Sequence, residues 1–91
     1  MVRIELGMAA VSMAGHDTGK PYIIVGIEAG YVYLSDGQLR TCENPKKKKI
    51  KHIQVDHRSF PEMEETLKTG GKLNDEIVRR AIKTYRSKQE V

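Results

Sequence analysis

The spacing of apolar residues changes near position 57. Before it, short apolar stretches are set off by glycine, proline and aspartate, and after it they recur at three- and four-residue intervals. "LGMAAVSMA", residues 6–14, is small and apolar without helical periodicity and stops at Gly15. "GHDTGKP" at 15–21 is turn chemistry. "YIIVGIE" at 22–28 is β-branched and apolar, the clearest strand in the chain. Ala29-Gly30 predicts a two-residue hairpin turn. It leads into "YVYLSDG" at 31–37, where Val32 and Leu34 alternate against Tyr31, Tyr33 and Ser35. In "KKIKHIQV", Ile53 and Val55 share one face while Ile50 points the other way under strict alternation. Burying all three requires a bulge or a late strand start.

From residue 57 the pattern is helical. "SFPEMEETLKTGG" pairs Ser59 with Glu62 as a capping box and ends on two glycines, predicting a helix over about 60–69 with Phe60, Met63 and Leu67 on one face. "LNDEIVRRAIKTYRSK" predicts a second helix over about 74–88. Asn74 is its N-cap, and Ile77, Val78, Ala81, Ile82 and Tyr85 form one apolar stripe. There is no internal repeat. The expected class is mainly β with α: five short strands closing a small β-barrel over residues 1–56, then a helical C-terminal extension over 57–91.

Ninety-one residues make one domain with a thin core. No apolar run approaches the roughly 18 residues of a membrane span, and "MVRIELG" has no secretory-signal pattern. Cys42 is the one cysteine, so no internal disulfide can form, and a reducing, cytoplasmic setting is expected. The net charge of +4 is concentrated in one place. Between Arg40 and His52 six Lys/Arg face a single Glu43, so the remainder of the chain is close to neutral. A basic patch on a neutral body points to a polyanionic partner.

The run "AAVSMAGHDTGKPYIIVGIEAGYVYLSDG" resembles a KOW motif, carried by Val11, Gly15, Asp17, Gly19, Lys20 and the apolar stretch from Tyr22 to Ile27. With "KKKKIKHIQ" at 46–54, residues 1–55 resemble the archaeal and eukaryotic fourteen-e family of large-subunit ribosomal proteins. They look still more like the small KOW-domain RNA-binding proteins of Gram-positive bacteria. Met8 and His16 stand where the ribosomal relatives tend to carry basic residues. The resemblance implies an SH3-like barrel, binding to RNA (in particular rRNA), and a place beside ribosomal proteins in translation. In the turn itself, Gly15 and Gly19 permit positive φ and close backbone approach. Lys20 then starts a strand next to free N–H groups, a phosphate-binding edge.

Four adjacent lysines, Lys46, Lys47, Lys48 and Lys49, repel one another unless something anionic offsets them, and clustered lysines suit a nucleic-acid backbone. The competing readings are a solvated loop and a nuclear-localisation run. Tyr31 and Tyr33 share a face and could stack on unpaired bases, or simply edge the core with Tyr22. Arg79, Arg80, Lys83, Arg86 and Lys88 follow Asp75 and Glu76 as the helix dipole favours, while Arg79, Lys83 and Arg86 line one face open to a second RNA contact. His16, Cys42, His52 and His57 lack the spacing of a structural zinc site. Glu62, Glu64 and Glu65 read as helix-start charges, so no enzyme activity, metal or cofactor is expected. The expected RNA-binding residues are Lys20, Arg40, Lys46, Lys47, Lys48, Lys49, Lys51, His52, Tyr31 and Tyr33, acting through a basic loop on phosphates, with Gly15 and Gly19 shaping the turn. The alternative is a protein-interaction module docking on a translation factor or acidic protein, with the lysines steering association.

Overall fold

The structure, a computed structural model, describes residues 3–16, 18–56 and 60–89. Asp17, His57 and Ser59 lie outside the described residues, as do the side chains of Glu62 and Lys88, so the expected Ser59–Glu62 capping box falls there too.

Five strands form one antiparallel sheet: β1 (Ala9–Ser12), β2 (Pro21–Glu28), β3 (Tyr31–Ser35), β4 (Lys46–Lys49) and β5 (Ile53–Asp56), in the order β4-β3-β2-β1-β5. The hairpin at Ala29-Gly30 forms as expected, with Glu28 opposite Tyr31 and Gly30 at φ 79°. The edge strands β4 and β5 are not hydrogen-bonded neighbours, so the sheet is open. They are nevertheless joined by the 3-10 turn Ile50–His52 alone. In a flat sheet the edges would stand about 19 Å apart, while three residues of 3-10 geometry advance only about 2 Å each. The sheet must therefore curl until its edges come near one another.

That turn supplies the late strand start expected in "KKIKHIQV", since β5 begins only at Ile53. The chain has to cross from one sheet edge to the other, and the 3-10 turn makes the crossing. It does the work expected of a bulge, because Ile50, Ile53 and Val55 all pack against the same cluster. This cluster (Ala10, Tyr22, Ile24, Val32 and Leu34) fills the concave face. A bulge does occur elsewhere, at Val25 between Ile24 and Gly26 in β2.

The opposite face carries Ala9 and Ile23, which pack with Phe60, Met63, Val78, Ala81, Ile82 and Tyr85 of the helical segment. Helix α1 (Pro61–Lys68) starts with Pro61 at its first position, where its absent N–H costs nothing. It ends as the glycine pair predicts: Gly70 N–H donates to the Leu67 carbonyl and Gly71 N–H to the Thr66 carbonyl, with Gly70 at φ 78°. Helix α2 (Asp75–Gln89) is capped by Asn74, whose Oδ1 accepts the Ile77 N–H at 2.9 Å. Both helices therefore share a core with the sheet and are not a detached arm.

Val78 is fully buried in that shared core. Val78→Asp should strand a carboxylate among apolar side chains and cost about 3 kcal/mol or more. Urea unfolding checks this, and a parent-like midpoint would contradict the shared core.

Candidate nucleic-acid interface

The four lysines form a strand, not a loop, and a strand alternates. In the β3–β4 register Tyr31 faces Lys49, Val32 faces Lys48, Tyr33 faces Lys47 and Leu34 faces Lys46. Since Val32 and Leu34 line the concave core, Lys46 and Lys48 lie on that side and are half-buried. Lys47 and Lys49 are exposed beside the two tyrosines. The run is thus split into two pairs with different surroundings.

Lys48 has a structural task. Its Nζ donates to Ser12 Oγ and to the Ala14 carbonyl, both at 2.6 Å, and Ser12 is fully buried. This bond spans from the β4 edge to the end of β1, so the ammonium ties the curl while its stem covers apolar surface. Of the four lysines expected to meet RNA, Lys46 and Lys48 are thus half-buried, and Lys48 is engaged by the fold itself. Lys46 is also engaged.

On the outer side, Lys47 Nζ lies 4.5 Å from the centre of the Tyr31 ring and 5.9 Å from that of Tyr33, within cation–π range. Glu28 completes the group: its Oε2 accepts the Tyr33 hydroxyl at 2.8 Å and pairs with Lys47 Nζ at 3.1 Å. The Tyr33 hydroxyl and then Lys47 hold the Glu28 carboxyl below its ordinary range, and Glu28 in turn raises the Tyr33 and Lys47 values. Gly26 makes room for this arrangement, because a Cβ there would meet the Tyr33 side chain at 3.0 Å. Glu28 escaped the sequence reading. The signal was present in the two-residue hairpin, which places Glu28 opposite Tyr31 and next to Tyr33 on the same face. Lys49 makes no ion pair among the described residues.

The remaining expected residues are elsewhere. Lys51 is exposed and His52 half-buried in the 3-10 turn, where the His52 carbonyl accepts the Met13 N–H. Lys20 and Arg40 sit beyond the other end of β3. Lys20 Nζ pairs with Asp36 Oδ2 at 2.9 Å, while Asp36 Oδ1 accepts the Gln38 and Arg40 N–H groups at 2.9 Å. Burial pushes the Asp36 carboxyl up. The Arg40 amide, the Lys20 side chain and the Gln38 amide together outweigh it and hold the carboxyl below its usual value. Gly15 and Gly19 have φ of 88° and 87°, as the turn requires. A Cβ on Gly19 would meet nothing within 4 Å, so its role is the positive φ and not the expected close approach.

Burial raises the Cys42 thiol, as does Asp75, so the thiol form is favoured over the thiolate. Among the described residues no group of three His, Cys, Asp or Glu is placed to hold a metal, and no helix is long and apolar enough to cross a membrane. No protein-family model matches the chain, and no curated protein matches it.

Lys48→Gln should lower stability by about 1–2 kcal/mol, since buried oxygens lose a charged donor, while Lys49→Gln should stay within about 0.5 kcal/mol of the parent. Thermal melts of the two variants side by side check this, and equal melting temperatures would remove Lys48 from its bridging role. For Asp36 the depressed carboxyl fixes the sign. Its contribution is complete above the unfolded value of about 3.9 and is lost as pH falls through the lower folded value. Asp36→Asn should therefore lower stability at neutral pH and flatten the acid limb of the stability curve below about pH 4; an unchanged acid limb would contradict the assignment.

Proposed function

We propose that this is a non-catalytic RNA-binding protein of the KOW type, built on an SH3-like barrel, associated with ribosomal RNA and using the outer face of β3 and β4 as its contact. The observation that carries the reading is the register that sets the exposed Lys47 and Lys49 beside the half-buried Tyr31 and Tyr33 on the outer face. Cations for phosphates next to aromatic faces for unpaired bases are the two components of single-strand recognition. The barrel reading is supported by the short 3-10 crossing between the two edge strands and by the Lys48 bridge to β1. Phosphate contacts of this kind give affinity more readily than sequence specificity.

Glu28 sets the terms of binding. In the free protein it neutralises Lys47, so a phosphate must compete with a carboxylate for the same ammonium. RNA binding then exchanges one ion pair for another at this position. Lys49 contributes without such a cost. The edge position of β4 also suits charged side chains, which discourage strand addition by other chains. A protein-docking role would use the same lysines for steering, with affinity residing elsewhere.

Titration of a labelled oligouridine by fluorescence anisotropy at several salt concentrations tests the reading. The double variant Lys47→Gln, Lys49→Gln should bind more weakly, with the slope of log K against log salt flattened by about 1.4, at 0.7 per contact on a single strand. Glu28→Gln should bind more tightly than the parent. Tyr31→Ala with Tyr33→Ala should weaken binding by about 1–3 kcal/mol per lost stack at unchanged salt slope. A lysine variant with the parent's affinity and slope would refute the interface.

A further inference from the structure

A second cationic surface lies beyond the other end of β3, where the loop at 36–40 meets α2. The groove between them holds about 580 Å³ and is lined by Lys20, Arg79, Lys83 and Arg86 against one carboxylate, Asp36. At its lip Leu39 is 82% exposed, the most exposed large apolar side chain among the described residues. The helix dipole gives a reason for basic residues late in α2. It gives none for their convergence with Lys20 on a single groove.

The walls of the groove are fixed in advance. Arg79 Nη1 donates to the Gly37 carbonyl at 2.7 Å, and Asp75 Oδ1 accepts the Cys42 N–H at 2.7 Å, so the start of α2 is tied to the loop at Gly37 and to the chain just beyond it at Cys42. Gly37 is required where they touch: at φ 76° a Cβ would fall 2.6 Å from the Asp75 carbonyl oxygen and 2.7 Å from Arg79 Cγ. The Asp36 carboxylate is occupied by Lys20 and two loop amides, leaving it little capacity to repel an anion. Lys83 and Arg86 are exposed and make no ion pair among the described residues. Two unpaired cations stand over a rigid, charge-compensated floor, so the floor is set in advance and the Lys83 and Arg86 side chains are what binding has to order.

We propose that this groove is a second contact for the RNA phosphate backbone, acting independently of the β3–β4 face, with Lys83 and Arg86 meeting phosphates and Leu39 lying against a sugar or base. The proposal rests on the RNA reading above and extends it. From Tyr33 on the first surface to Asp36 in the groove the chain advances about 10 Å, so a single strand touching both must run along the molecule. Each contributes its own counterion release, and their effects on log K add.

The test uses the full chain and three proteins beside the parent: Lys83→Gln with Arg86→Gln, Lys47→Gln with Lys49→Gln, and all four together. Each is titrated against labelled oligouridine and, separately, against labelled poly-glutamate, with melting curves to verify folding. The groove variant should melt like the parent and lose about 1.4 from the salt slope on RNA. It should do so both alone and on top of the face variant. RNA affinity and slope equal to the parent's, with the face variant weakened, would overturn the groove and leave the β3–β4 reading standing. A loss confined to poly-glutamate would overturn it in favour of an acidic protein partner. A parent that binds no RNA would overturn both.

Discussion

A sheet of five short strands that is apolar on both faces has to find two covers in a chain of 91 residues. Everything else in the molecule follows from how this is done. One face is covered by α1, α2 and the residue that precedes α1: Phe60, Met63, Val78 and Tyr85 pack over Ala9 and Ile23. The other is covered by the sheet itself, which curls around Tyr22, Ile24, Val32 and Leu34. Curling brings the β4 edge toward the end of β1, and Lys48 spans what remains. A cation serves here where an apolar residue would not, because the gap ends in the Ser12 hydroxyl and the Ala14 carbonyl, both acceptors.

The curl also decides what the lysine run can offer a partner. With Val32 and Leu34 facing inward, antiparallel alternation turns Lys46 and Lys48 toward the core side and Lys47 and Lys49 outward with Tyr31 and Tyr33. Half of the apparent charge cluster is therefore committed to the fold or its rim. The exposed half meets aromatic rings and a carboxylate. Chemically this is a small mixed surface more than a uniform basic patch. On the RNA-binding reading proposed above, such a surface would discriminate unpaired from paired RNA by stacking while phosphate contacts provide affinity.

Much of the architecture was legible from local patterns. Asn74 ahead of an apolar stripe at 77, 78, 81, 82 and 85 specified α2 and its buried face, and Gly70-Gly71 specified the end of α1. Ala29-Gly30 between two β-rich runs specified the hairpin. These signals are local, so they survive without knowledge of tertiary contacts. Three features are not local. The strand character of "KKKK" runs against the usual preferences of lysine and is imposed by pairing with β3. The inward turn of Lys48 depends on a partner 36 residues earlier. The need for glycine at Gly37 depends on the approach of α2. For the site, the sequence identified the residue types and the shared face of the tyrosines. It could not apportion the lysines between fold and surface, since that division depends on register.

The central claim is that Tyr31 and Tyr33, with Lys47 and Lys49 beside them, touch RNA. Photocrosslinking of the protein to 4-thiouridine-labelled RNA in cells, followed by mass spectrometry of the nucleotide-bearing peptides, addresses it directly. The account predicts adducts on Tyr31 or Tyr33, diminished when Lys47 and Lys49 are both replaced by glutamine. Efficient crosslinking confined to other parts of the chain, with both tyrosines unmodified, would contradict it.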